Sequence, residues 1–122
     1  MSRFFDFRQN NTFGRWVYDE KRGISRHVII EADDVEEAVS LAEDIGLYFD
    51  GRGDCECCGT RWSKPWTNET GDDTPSIYGE PVGEYDFYAY SNEAECFVHM
   101  KPKGKAKRGK ILAHGRGEKR KR

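Results

Sequence analysis

The sequence predicts a small α+β domain, an antiparallel sheet in the order β-β-β-α-loop-β-β with one helix packed on it, followed by a basic C-terminal tail. Three observations carry this expectation. Short aromatic and β-branched runs alternate as half-buried strands do, a single stretch has helical periodicity with a capping signal, and 122 residues suffice for one modest core but not two.

In Arg3 to Arg8, Phe5 and Phe7 share one face of an extended chain, and in Arg15 to Tyr18, Trp16 and Tyr18 do the same. Gln9-Asn10-Asn11-Thr12 between them is turn chemistry and suggests a hairpin. Gly23 then breaks the chain. His27 to Ala32 follows, and its Val-Ile-Ile centre marks it as the central strand. Asp34 to Ile45 reads as the helix: Asp34 and Glu37 have capping spacing, and Val35, Ala38, Leu41, Ala42 and Ile45 form one apolar face. Gly46 suits the left-handed cap. From Asp50 to Gly83 the chain is rich in Gly, Asp, Thr and Pro, and so long an irregular stretch needs a staple. Tyr85 to Tyr90 and Glu95 to Lys101 close the order as a second predicted hairpin around Ser91-Asn92-Glu93.

The formal net charge of −2 hides a division at Met100. Residues 1–100 hold 9 Lys+Arg against 21 Asp+Glu, whereas residues 101–122 hold 11 against 1. An acidic body thus precedes a cationic extension. The boundary expected from this is an acidic domain over 1–100, with its Cys-rich loop at 50–83, and a flexible tail over 101–122, which cannot bury a core of its own. No apolar run approaches a membrane span, and the N-terminus lacks a signal-peptide pattern, so a cytoplasmic protein is expected.

In a reducing compartment four cysteines point to thiols or metal ligands rather than disulfides. Cys55-Glu56-Cys57-Cys58-Gly59 contains a Cys-x-x-Cys-Gly knuckle, whose two thiolates, Cys55 and Cys58, can reach one zinc ion. A closed site needs four ligands, and the further candidates are Cys57, Cys96 and His99. Cys96 and His99 lie three apart on a predicted strand and face opposite sides, so without a bulge only one of them can join the same ion. The competing reading is a set of reduced thiols in a loop held by aromatic packing. No helix N-terminus or His partner is evident that would activate Cys57 as a nucleophile.

The blocks Phe-Asp-Phe-Arg-Gln-Asn-Asn (5–11), Val-Ile-Ile-Glu-Ala-Asp-Asp (28–34), Asp-Ile-Gly-Leu-Tyr-Phe-Asp-Gly (44–51), Asp-Cys-Glu-Cys-Cys-Gly-Thr-Arg-Trp (54–62) and Pro-Ser-Ile-Tyr-Gly (75–79) resemble a group of small uncharacterised tailed-bacteriophage proteins. The resemblance covers roughly residues 3 to 100 and brings no activity with it. What it implies is a phage origin, and hence action in the host bacterial cytoplasm or packaging in a virion. The long basic tail departs from the shorter ends of that group.

The function expected is binding rather than catalysis. Lys101, Lys103, Lys105, Lys107, Arg108, Lys110, Arg116, Lys119, Arg120, Lys121 and Arg122 can neutralise phosphates and release counterions, which gives salt-sensitive binding to DNA or RNA, or to a host complex handling it. Arg61, Trp62, Lys64 and Trp66 offer a stacking platform for bases, against the simpler reading that the tryptophans pack over the knuckle. The alternative class is an inhibitor of a host protein, acting through the acidic body as a nucleic-acid mimic. A metal-dependent hydrolase would need an open zinc position and a general base, neither of which the sequence establishes.

Overall fold

A computed structural model describes residues 2–10, 16–49, 61–63, 70–85, 94–102, 104–105 and 109–115. Its elements are β1 (Arg3–Gln9), β2 (His27–Ala32), α1 (Val35–Ile45), β3 (Trp62–Ser63), β4 (Ser76–Ile77), β5 (Glu80–Pro81), β6 (Cys96–His99) and β7 (Ile111–His114). Five strands form one sheet in the order β3-β1-β2-β6-β7, with β4 and β5 as a separate hairpin. The fold is α+β, and β2 is the central strand, as its β-branched centre implies.

The sheet is mixed, where the sequence reading expects antiparallel neighbours throughout. β2 and β6 run parallel, with His27 beside Cys96 and Ile30 beside His99. A parallel pair needs a crossover, and α1 begins the excursion that lets β6 restart at the end where β2 started. With β2 on one side of β6 and β7 on the other, the Glu95–Lys101 strand finds its neighbours elsewhere than in Tyr85 to Tyr90. Residues 86–90 lie outside the described residues, as do 91–93 of the expected turn.

Residues 16–18 do not join the sheet. Instead the Gln9 carboxamide stands in for a ladder: Val17 N–H donates to Gln9 Oε1 at 2.6 Å, and Gln9 Nε2 donates to Val17 O at 3.1 Å and Ser25 O at 2.9 Å. A buried amide that satisfies two backbone segments fixes their spacing as a strand pair would. Asp19 and Ile24 then form an isolated bridge around Gly23, whose φ of 72° closes the turn.

α1 starts and stops on its predicted signals. Asp34 accepts a hydrogen bond from the Glu37 amide at 2.8 Å, Glu37 Oε1 accepts from the Asp33 amide at 2.7 Å, and Gly46 caps the C-terminus at φ 118°. Ala38 and Ala42 are fully buried against the sheet, flanked by Val35, Val39 and Ile45. Two alanines at the contact let the helix lie close. Leu41, assigned to the buried face from sequence, sits at the stripe's edge and is exposed, and Val39 packs in its stead.

Strand alternation divides the core in two. Phe5, Phe7, Val28, Ile30 and Ala32 meet α1 together with Leu47 and Trp62. Phe4, Ile29, Cys96 and Val98 face the other way, under Ile77 and Val82 of the 70–85 segment. β7, which lies inside the cationic segment, completes the sheet on β6, with Phe97 beside Ala113 and Val98 beside Leu112. Its Ile-Leu-Ala run supplies the apolar character that the surrounding lysines conceal.

Candidate nucleic-acid interface

One end of the sheet gathers the chemistry-bearing side chains. β1 ends there and β2 begins, β6 begins and β7 ends, so the register aligns Arg8, His27, Cys96 and His114 in one row across four strands. His27 Nδ1 lies 3.4 Å from Asp6 Oδ1. Cys96 is fully buried in the apolar cluster of Phe4, Ile29 and Val98, and burial, with Asp6 and Glu95 adding repulsion, pushes its thiol well above the ordinary range. Burial of this kind disfavours the thiolate form. Burial lowers the pKa of His114.

His99 projects to the opposite face, where Nε2 lies 2.8 Å from Gly23 O, and burial lowers its pKa against the opposing pull of that hydrogen bond. Strand alternation thus separates His99 from Cys96. Among the described residues no group of three or more His, Cys, Asp or Glu is arranged to hold a metal ion. Cys55, Cys57 and Cys58 lie outside the described residues.

Two arginine–aromatic stacks flank the same end. The Arg8 guanidinium sits over the Tyr78 ring, 5.1 Å from its centroid, and Nη1 donates to Tyr78 Oη at 3.2 Å. His27 meets that ring edge-on at 6.0 Å. Tyr78 is nevertheless 69 % exposed. It occupies the tip of a two-residue hairpin loop, Tyr78-Gly79, with φ of 54° and 82°, a turn that ordinarily takes Asn-Gly. A bulky aromatic in the left-handed region is strained. On the chain entering β2, Arg26 sits 4.8 Å over the Trp16 ring, which is 40 % exposed. None of these four residues is picked out by composition or spacing, although an aromatic before Gly79, where Asn is favoured, is a signal legible in Pro-Ser-Ile-Tyr-Gly.

Trp62 is 3 % exposed and packs in the helix-side core; the knuckle of the packing reading lies outside the described residues. Arg61 is also buried, its Nη1 donating to Gln9 Oε1 at 3.0 Å. Lys64 and Trp66 lie outside the described residues, as do Lys103, Lys107, Arg108, Arg116, Lys119, Arg120, Lys121 and Arg122. Lys101 turns back onto the body: its Nζ lies 2.5 Å from Asp33 Oδ1 and 3.5 Å from Glu37 Oε1, raising its own pKa and lowering that of Asp33. Lys105 and Lys110 are exposed.

No helix among the described residues is long and apolar enough to cross a membrane. Among the described residues, fold and site define a small α+β protein with a mixed five-stranded sheet, one helix and, within the cationic segment, a strand at the sheet's edge. Residues 2–117 match a family described as a domain of unknown function (DUF7296), and the chain belongs to that family. Comparison with curated proteins and with solved structures found no match.

Proposed function

We propose that the protein is a binding module for nucleic acid, acting through the cationic C-terminal segment, and that it is an accessory protein of a tailed phage working in the host cytoplasm. The observation that carries this reading is the placement of β7. It ties Ile111–His114 of the basic segment to the sheet, and five further cations follow Gly115 in the sequence (Arg116, Lys119, Arg120, Lys121 and Arg122). Lys101 is committed to Asp33 and Glu37, whereas Lys105 and Lys110 are exposed, and the segment's sequence carries eight more Lys+Arg that this reading assigns to phosphates or to a host complex that carries them. Zinc on Cys55 and Cys58 belongs to the same reading as the staple of the 50–83 stretch, and binding rather than catalysis is the activity.

The test is charge neutralisation in the full-length chain. Replacing those five cations by Gln leaves β7 in place, whereas deletion after Met100 would remove an edge strand. The variant is expected to lose salt-sensitive affinity for a labelled oligonucleotide, with the slope of log K against log salt falling by about 3–4. An unchanged slope refutes the role of the segment. Retention of a single host protein from nuclease-treated lysate, without oligonucleotide binding, would favour inhibition through the acidic body instead.

A further inference from the structure

The geometry points to single-stranded nucleic acid as the ligand class, with unstacked bases received by Tyr78 and Trp16 at the end of the sheet where β1 closes and β2 opens; this rests on the nucleic-acid reading above. Three observations converge. The first is the repeated pairing of an exposed ring with a guanidinium, Tyr78 with Arg8 and Trp16 with Arg26. The guanidinium covers one face of each ring, so a base stacks on the opposite face, a sequence-tolerant π-surface with positive charge behind it. Base pairs in a duplex are already stacked and present no such face.

The second is position. Arg8 pairs with His27 across β1 and β2, and the Gln9 amide donates to Arg26 O at 2.9 Å, so the backbones of the two arginines are neighbours. Strand alternation sends their side chains to opposite faces. A strand of nucleic acid passing around this end meets one stack and then the other. The chain leaves β7 at the same end, and β7 is separated from β1 by two strands, about 14 Å at ordinary strand spacing.

The third is strain. Tyr78 holds φ 54° in a hairpin position that Asn would occupy at less conformational cost, and most of its ring faces solvent. The ring's contact with Arg8 explains its direction but not why an aromatic is carried at a position unfavourable to one. A role for the exposed surface explains both.

The experiment compares the full-length wild type with Tyr78→Asn, Tyr78→Phe and Trp16→Ala by fluorescence anisotropy. The probes are labelled oligothymidine and oligouridine of about 16 nucleotides and a DNA duplex of the same length. Wild type is expected to bind the single strands more tightly than the duplex. Tyr78→Asn and Trp16→Ala should each weaken single-strand binding by about 5- to 150-fold. Tyr78→Phe should retain it, and Tyr78→Asn, which relaxes the turn, should melt no lower than wild type, separating loss of the ring from loss of the fold. Equal wild-type affinity for single strands and duplex, with both ring-removing variants matching it, overturns this inference and leaves the cationic reading standing. Failure of wild type to bind any of the three probes overturns both.

Discussion

Gly23→Ala probes the anchoring of the C-terminal segment from a distance of more than eighty residues in sequence. Gly23 has φ 72°, and a Cβ there would lie 2.7 and 2.8 Å from His99 Cε1 and Nε2 and 2.9 Å from Ile111 Cγ2. Neither neighbour can swing aside cheaply. The His99 ring is held by its hydrogen bond to Gly23 O, and Ile111 is β-branched and pinned in β7 beside His99. The left-handed backbone costs an alanine about 1–2 kcal/mol. Crowding adds about 1–3 kcal/mol, for a destabilisation of about 2–5 kcal/mol. Urea denaturation should show a midpoint lowered on the order of 1–2 M without a change in m. The contact itself is isolated by a double-mutant cycle. Ile111→Ala removes the Cγ2 atom, so the pair should be less destabilising than the sum of the singles by about 0.5 kcal/mol or more. A Gly23→Ala loss under about 0.5 kcal/mol, or strict additivity with Ile111→Ala, would refute the placement of β7 against this turn.

Other substitutions test the remaining joints. Asp34→Ala removes the acceptor for the Glu37 amide and should cost about 1 kcal/mol by the same assay; no loss would mean that the cap is not formed in solution. Burial lowers the pKa of both His99 and His114, so each favours the fold fully above the unfolded value of about 6.5, and that contribution is lost as pH falls through the folded value. Stability should therefore decline on acidification from pH 7 towards 5, and His114→Gln should flatten part of the decline; a flat wild-type profile would contradict it. Native mass spectrometry should find one zinc ion that disappears on Cys55→Ser or Cys58→Ser, with lowered stability after chelation. A metal-free chain of equal stability would end the zinc proposal.

The helix was legible because its signals are local: the Asp34 and Glu37 cap, apolar residues at helical spacing, and Gly46 all sit within one stretch. β1 and β2 were legible for the same reason. β6 pairing with β2 was not, because parallel pairing is decided by the path of the crossover and leaves no periodicity in the strand itself. β7 was hidden by its surroundings, since three apolar residues among lysines and arginines read as a solvated tail until a partner strand is present. The Gln9 carboxamide that replaces a strand pairing at Val17 is likewise invisible to pattern, because one side chain does the work of a ladder. Of the candidate site, the cationic segment was plain from charge alone. The Arg8–Tyr78 and Arg26–Trp16 stacks depend on which residues long-range folding brings together.

The salt dependence of oligonucleotide binding by the full-length chain bears most directly on the claim that the cationic segment engages nucleic acid. About ten phosphate contacts on a single strand give a slope of log K against log salt near −7, a loss of about four decades in affinity between 50 and 200 mM salt. Contact by the five terminal cations alone gives about −3 to −4. A slope in this range, falling towards zero on neutralisation of those five or of the whole segment, is the expected result. Absence of binding at 50 mM salt, or an affinity indifferent to salt, would contradict it.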